Sequence, residues 1–300
     1  MAFLEMASVS KTFRMDRAER CVLENVTLAV ERGEFISVVG FMGCGKSTLL
    51  SIIAGLIPPD DGEVRLDGEL VRGVRPRTAI VFQNYSLLPW LTALENVHLA
   101  VASAQPTWPR ARHRDQARRY LEKVGLANAA HRRPGQLSGG MRQRVAIARA
   151  LATEPDVLFL DDPFGALDAL TRAALQQELA ELCSAEGRRV TTIMITNSID
   201  EALLLSDRIV PMTHGPRATL GLPVAVGIPK PRTPARLSHD ADAMHSRARV
   251  VASLTASVLQ RRRPRCETLP RERPRESRSL GLSPRKHEIT KHDQAVFESP

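Results

Sequence analysis

The sequence predicts an α/β fold in which a parallel β-sheet is covered by helices and interrupted by an α-helical insertion. Three observations carry this. Short β-branched runs alternate with helical patterns, and the first of those runs leads into a glycine-rich loop that opens a helix. Between Tyr85 and Gly135 the β signal gives way to polar, Arg-rich, helix-favouring sequence. With 43% hydrophobic residues in 300, the chain has material for a sizeable core. No apolar run reaches the eighteen residues of a membrane span, and Met1 to Phe13 lacks the layout of a secretory signal, so a cytoplasmic protein is expected.

In order along the chain, Phe35 to Val39 is a short apolar run, too brief for a helix and right for a buried strand, and Lys46 to Gly55 has a helical pattern. Ala79 to Phe82 is the next strand. The helical insertion follows, with a basic run from Arg110 to Arg119 that is expected to be a solvated face. Val157 to Leu160, Val190 to Thr196 and Arg208 to Met212 complete the strands. Between the first two of these, Leu170 to Cys183 is a helix whose buried stripe is expected at Leu175, Leu179 and Leu182. From Gln260 onward, Arg, Glu, Ser and five prolines alternate without apolar period, which predicts a basic disordered tail over 260–300. That stretch holds eleven Lys and Arg against six Asp and Glu, so much of the net charge of +9 sits there and the body is only mildly basic.

The chemistry starts after Val39. Gly40, Phe41, Met42, Gly43, Cys44, Gly45, Lys46 and Ser47 fit the phosphate-binding pattern of two glycines with four residues between them followed by Lys and Ser, between a strand and a helix as that pattern requires. Gly40, Gly43 and Gly45 let successive N–H groups turn into an anion-sized hollow, and the helix adds the positive end of its dipole. Lys46 offers a point charge to the outer phosphates, and Ser47, with Thr48 beside it, offers a hydroxyl for Mg²⁺. A nucleoside triphosphatase also needs a carboxylate at the end of a neighbouring strand to hold that metal. Asp161, closing Val157 to Leu160, is the candidate.

Leu137, Ser138, Gly139, Gly140, Met141, Arg142, Gln143 and Arg144 resemble the signature motif of ABC ATPases. The Ser138 hydroxyl and the N–H groups of Gly139 and Gly140 open a helix and form a second anion site. The resemblance implies that this site faces the γ-phosphate held by another subunit, so that two chains sandwich ATP with Mg²⁺. It further implies Phe13 stacked on adenine, Gln83 as a metal- and water-directed loop residue, and Asp168 as the D-loop aspartate. The fold expected from it is a RecA-like core over 3–235 with an N-terminal antiparallel β portion and a helical subdomain near 86–145, followed by an extension over 236–259 and the tail over 260–300.

The stretch from Val81 to Thr92 is similar to the ATPases of nitrate, sulfonate and taurine importers. Asn197 with its neighbours, Met212 to Gly221, and Ile228 to Arg232 with Leu237 to Asp240 resemble the nitrate and nitrite branch. That implies a second ABC ATPase subunit, like or unlike, an integral membrane permease, a periplasmic or surface substrate-binding protein reached indirectly, and a peripheral place on the cytoplasmic face of the inner membrane. Leu87, Leu88, Trp90 and Leu91 fall where the family docks a permease helix. Two positions depart from the superfamily. Asp162 stands where glutamate usually polarises the attacking water and ends one C–C bond sooner, about 1.5 Å, and misplacement near ~1 Å can cost ~10²-fold in rate. Asn197 stands for a switch histidine and cannot carry a proton or a positive charge. Two readings stay open: hydrolysis using Asp162, Lys46, Gln83 and Asn197, or a nucleotide clamp that completes a competent site on an unlike ATPase.

Other classes fit less well. Nucleic-acid-directed relatives usually carry two cassettes, coiled coils or zinc insertions, none of which this sequence has, and 4% aromatic residues leave no stacking platform, so no nucleic-acid partner is expected. Cys21, Cys44, Cys183 and Cys266 form no metal-spaced pair, and the eight histidines are expected to be solvent-facing or incidental.

Overall fold

The computed structural model describes residues 2–15, 18–184 and 189–262. Its centre is a six-stranded sheet whose first member is β3 (Phe35–Val39). Two antiparallel strands, β1 (Leu4–Met15) and β2 (Ala18–Val30), precede it. They pair with β4 (Asp61–Leu66) and β5 (Glu69–Leu70) into a four-stranded sheet of order β2-β1-β4-β5, which is the expected N-terminal antiparallel portion. Helix α1 (Lys46–Ile53) links the two layers. The large sheet continues with β6 (Thr78–Val81), β7 (Val157–Asp161), β8 (Thr191–Thr196), β9 (Arg208–Pro211) and β10 (Val224–Ala225), in the order β10-β9-β3-β8-β7-β6. All neighbours are parallel except β10, which pairs antiparallel with β9.

A parallel sheet buried on both faces must be apolar on both, and the period of two along each strand divides the core accordingly. Ile36 and Val38 of β3, Phe159 of β7 and Ile193 of β8 face α1 and the small sheet. Phe35, Val39, Leu158, Leu160 and Met194 face the other way, toward α5 (Ala169–Ser184) and α6 (Ile199–Leu205). Ser37, buried among apolar neighbours, is satisfied by the hydroxyl of Ser206.

The helical insertion comprises α2 (Ala93–Ala104), α3 (Arg110–Lys123) and α4 (Gly139–Leu151), packed around Val97, Val101, Leu121 and Val145. Thr92 and Glu95 close a reciprocal capping box at the start of α2. In α5 the buried stripe is Leu175, Leu179 and Cys183; Leu182, expected in it, is only half-buried, because the stripe continues by four residues from Leu179 rather than three. His113 also departs from expectation. It is buried, with Nε2 2.8 Å from the carbonyl of Gln105 and its ring stacked beside Trp108.

Across the stretch 236–259, where an extension is expected, run α7 (Pro234–His239) and α8 (Ala241–Arg262). Leu237, Ala243, Val250 and Leu254 join the core beneath them. Before α7, the Arg232 guanidinium donates to the carbonyls of Leu203, Ser206, Val226 and Ile228, which ties this segment to the end of α6. The expected tail falls almost wholly on 263–300, outside the described residues.

Candidate functional site

Strand β3 delivers the chain into the 40–45 loop, and α1 receives it. Gly45 is the position where only glycine serves. Its φ is +111°, and a Cβ there would stand 2.8 Å from Cγ1 of Val22. Lys46 opens α1 with its side chain turned back under the loop. Its Nζ donates to the carbonyls of Gly40 (2.8 Å) and Phe41 (2.9 Å) and to Oδ1 of Asn197 (2.7 Å). Burial holds the ammonium below its ordinary pKa, opposed by the charges of Cys44, Asp162 and Asp161. Asn197 thus presents its carbonyl oxygen to Lys46, which leaves its amide N–H₂ as the donor toward the cavity.

Next to β3 in the sheet lies β8, and next to that β7, whose end brings two carboxylates to the loop. Ser47 Oγ donates to Oδ1 of Asp161 at 3.1 Å, joining the start of α1 to the end of β7. Gln83, just beyond β6, places Nε2 3.3 Å from Oδ2 of Asp162. Burial pushes the pKa of both aspartates up; the mutual charge adds to this for Asp161, and Lys46 opposes it for both. Asp162 has a φ of +43°, which turns its side chain over Gly165, where any Cβ would overlap the carboxylate.

These groups surround a cavity of about 460 Å³. Of the residues expected at the site, it gathers Phe13, Met42, Gly43, Gly45, Lys46, Ser47, Thr48, Gln83, Asp161, Asp162 and Asn197. Gly40, Phe41 and Cys44 belong to the loop without lining the cavity: the first two supply carbonyls to Lys46, and Cys44 is buried with its thiol pKa raised by burial. Ser138, Gly139, Gly140 and Asp168 lie elsewhere. Ser138 caps α4, accepting from the N–H of Met141 at 3.3 Å, and Asp168 accepts from the N–H of Thr171 at 3.0 Å, which holds its carboxyl below the usual range.

Sequence reasoning missed three lining residues, Arg20, Val22 and Ile195. Arg20 lies directly opposite Phe13 in the β1–β2 ladder, so only the pairing register could have found it. It also missed Arg149. From α4 this guanidinium donates to the carbonyls of Ser86 (2.6 Å) and Tyr85 (2.9 Å), and so grips the loop that follows Gln83. Tyr85 and Ser86 both have positive φ, 63° and 46°, a tight left-handed turn for two residues with Cβ atoms.

The chain is similar to known proteins over most of its length. The family model described as ABC transporter matches residues 23–165. The nitrate import ATP-binding protein NrtD of Synechococcus elongatus is 50% identical over 230 residues, covering 77% of this chain and 83% of that protein. The bicarbonate transport ATP-binding protein CmpD of Synechocystis is 48% identical over 239 residues, covering 80% and 84%. The nitrate import ATP-binding protein NrtC of Synechocystis is 50% identical over 233 residues, 77% of this chain but 34% of that longer protein. Among solved structures, the ATP-binding cassette MJ0796, a dimer in a post-hydrolysis state bound to ADP and Pi, is 33% identical with a TM-score of 0.67, covering 74% of this chain and 98% of that one.

Proposed function

Since the chain belongs to the family of ABC transporter ATP-binding subunits, we propose that it binds and hydrolyses ATP to energise import of a small oxyanion, nitrate or nitrite first. The relatives named for nitrate and for bicarbonate handle anions of similar size and planarity, which supports the class; sulfonate, taurine and cyanate are the alternatives. The observation that carries the reading is the convergence of Lys46, the Ser47–Asp161 pair, the Gln83–Asp162 pair and Asn197 on one cavity beside a helix N-terminus.

In this reading Phe13 receives the adenine and the loop amides cradle the phosphates. Lys46 exchanges its bonds with the Gly40 and Phe41 carbonyls for phosphate oxygens, and Asn197 keeps hold of Lys46 while its amide donates to the γ-phosphate. Asp162 and Gln83 orient the attacking water, with the raised pKa of Asp162 suiting it to take up a proton. The donor set of Ser47 hydroxyl, Asp161 carboxylate and Gln83 amide oxygen is hard and oxygen-only, which fits Mg²⁺. Bound there, Mg²⁺ would neutralise charge on the outer phosphates. Among the described residues no helix is long and apolar enough to cross a membrane. The same reading places the chain as a peripheral subunit on the cytoplasmic face of the inner membrane, docked on a permease through the loop that carries exposed Trp90.

A second reading has its own support. Asp162 and Asn197 both depart from the usual catalytic pair, and the relatives named for nitrate import include two differently named ATP-binding proteins, NrtD of Synechococcus elongatus and NrtC of Synechocystis. The chain would then clamp nucleotide and lend Ser138, Gly139 and Gly140 to an unlike ATPase. Single-turnover hydrolysis by the purified chain, alone and then with its permease and a second ATPase, separates the two. Turnover by the chain alone, lost in Lys46→Ala and raised about tenfold or more in Asp162→Glu, supports an attenuated working site. Tight ATP binding without turnover until an unlike ATPase is added supports the clamp. ATP binding unaffected by Lys46→Ala overturns both.

A further inference from the structure

The helical insertion holds a second cavity of about 460 Å³ that shares no residue with the nucleotide cavity. One wall is α3, from which Arg110, Arg114 and Arg118 face it at a spacing of four residues. Two steps of four along a helix carry these guanidinium stems over about 12 Å. The opposite wall is α2 with His98, and His131 closes one end.

The three arginines outnumber the one carboxylate in the lining. Among the described residues Arg110 and Arg114 have no acidic partner, and Arg118 reaches only the exposed Asp115, at 4.0 Å. The single carboxylate in the lining, Glu95, is engaged by the backbone N–H and hydroxyl of Thr92 at 2.8 Å each, in the capping box of α2. Burial first, and then the charges of His113, Arg110 and Arg114, hold His98 below its ordinary pKa, with Glu95 opposing them. A surface helix that only needed solubility would alternate its charges; this one aligns three of one sign along a groove deep enough to hold a ligand.

We propose that the α2–α3 groove is a binding site for a phosphate-bearing anion, held by Arg110, Arg114 and Arg118 and flanked by His98 and His131. Arg is the residue suited to this, because its planar fork pairs two N–H groups with two phosphate oxygens. The same chemistry is offered by a free polyphosphate and by the headgroups of anionic lipid. The groove starts at Thr92, two residues after exposed Trp90, so either ligand would sit on the helix that follows the Gln83 loop.

Two probes distinguish the sources. Inorganic pyrophosphate is titrated calorimetrically into the full chain carrying Lys46→Ala, which weakens the nucleotide cavity as a competing site, and wild-type chain is sedimented with vesicles of phosphatidylcholine with and without phosphatidylglycerol. Binding of pyrophosphate, weakened at least tenfold when Arg110, Arg114 and Arg118 are all changed to Gln and weakened less when all are changed to Lys, which keeps the charge but not the fork, is the expected result for a free phosphate ligand. Co-sedimentation only with phosphatidylglycerol, lost in the same Gln variant and retained in the Lys variant, is the expected result for a lipid headgroup. All three arginines are exposed, so the variants keep the core, and unchanged far-UV circular dichroism checks this. Failure of both probes to bind, or binding equal in wild type and the Gln variant, overturns the proposal.

Discussion

Asp162 is held in a place that suits chemistry better than stability. It lies at the end of a buried strand, beside a second carboxylate, and burial raises its pKa. A raised folded pKa means that the native chain binds its proton more tightly than the unfolded chain. The contribution to stability is then complete below the ordinary carboxylate value and is lost as pH climbs through the raised one. Asp162→Asn, neutral at every pH, removes that loss and can still accept from Gln83. The nucleotide-free variant is expected to melt higher than wild type at pH 7, by a small margin because Asp162 is partly solvated and its charge is screened. The difference should close as pH falls below the carboxylate range. Thermal scans from pH 4 to pH 8 check it, and a variant that melts lower than wild type at pH 7 contradicts it.

At the scale of elements, α4 carries two connections at once. Its N-terminus presents Ser138, Gly139 and Gly140, and further along Arg149 grips the carbonyls of Tyr85 and Ser86, so the segment proposed as a second anion site and the Gln83 loop are joined through one helix. The start of α4 also rests against the start of α5, and Gly140 is the contact: a Cβ there would overlap Cγ2 of Thr171. Gly140→Ala is therefore expected to destabilise the chain by about 1–3 kcal/mol, the usual range for overpacking. Adding Thr171→Ser, which deletes the methyl it strikes, should restore most of the loss. Urea denaturation of the single and double variants reads this out; equal stabilities for the two would place the conflict elsewhere. The buried stripe of α5 teaches a related lesson. The leucine spacing in the sequence announces a helix, yet whether Leu182 or Cys183 turns inward depends on the surface it meets.

For the whole molecule, the decisive fact is a separation. The cavity holds the loop, Lys46, the two carboxylates and Asn197, while Ser138, Gly139, Gly140 and Asp168 of the same chain lie outside it. In the proposed reading a second ATPase subunit supplies the set that the cavity lacks; the solved cassette MJ0796 is itself a dimer. Hydrolysis per chain should accordingly rise with protein concentration, and the ATP-loaded Asp162→Asn variant should sediment as a dimer. Specific activity that stays flat over a hundredfold dilution, with a monomer in the centrifuge, would show a self-sufficient site.

What the sequence alone determined is whatever local chemistry dictates. The loop from Gly40 to Ser47 requires glycines and a strand–helix junction, the apolar runs specify strands by composition and length, and the capped start at Ser138 is written in adjacent residues. The order of these motifs sufficed to identify the fold and most of the cavity lining. The tertiary structure alone decided whatever depends on residues far apart in the chain. Lys46 meets Asn197 across 151 positions and Ser47 meets Asp161 across 114. Arg20 joins the cavity only through its register opposite Phe13, Arg149 reaches the Gln83 loop only because α4 crosses it, and the three arginines of α3 line a groove only because α2 supplies the other wall. The physical reason is range: backbone preferences and helix caps act over a few residues, whereas a side chain's partners are set by how the sheet order and helix packing bring distant segments within hydrogen-bond reach.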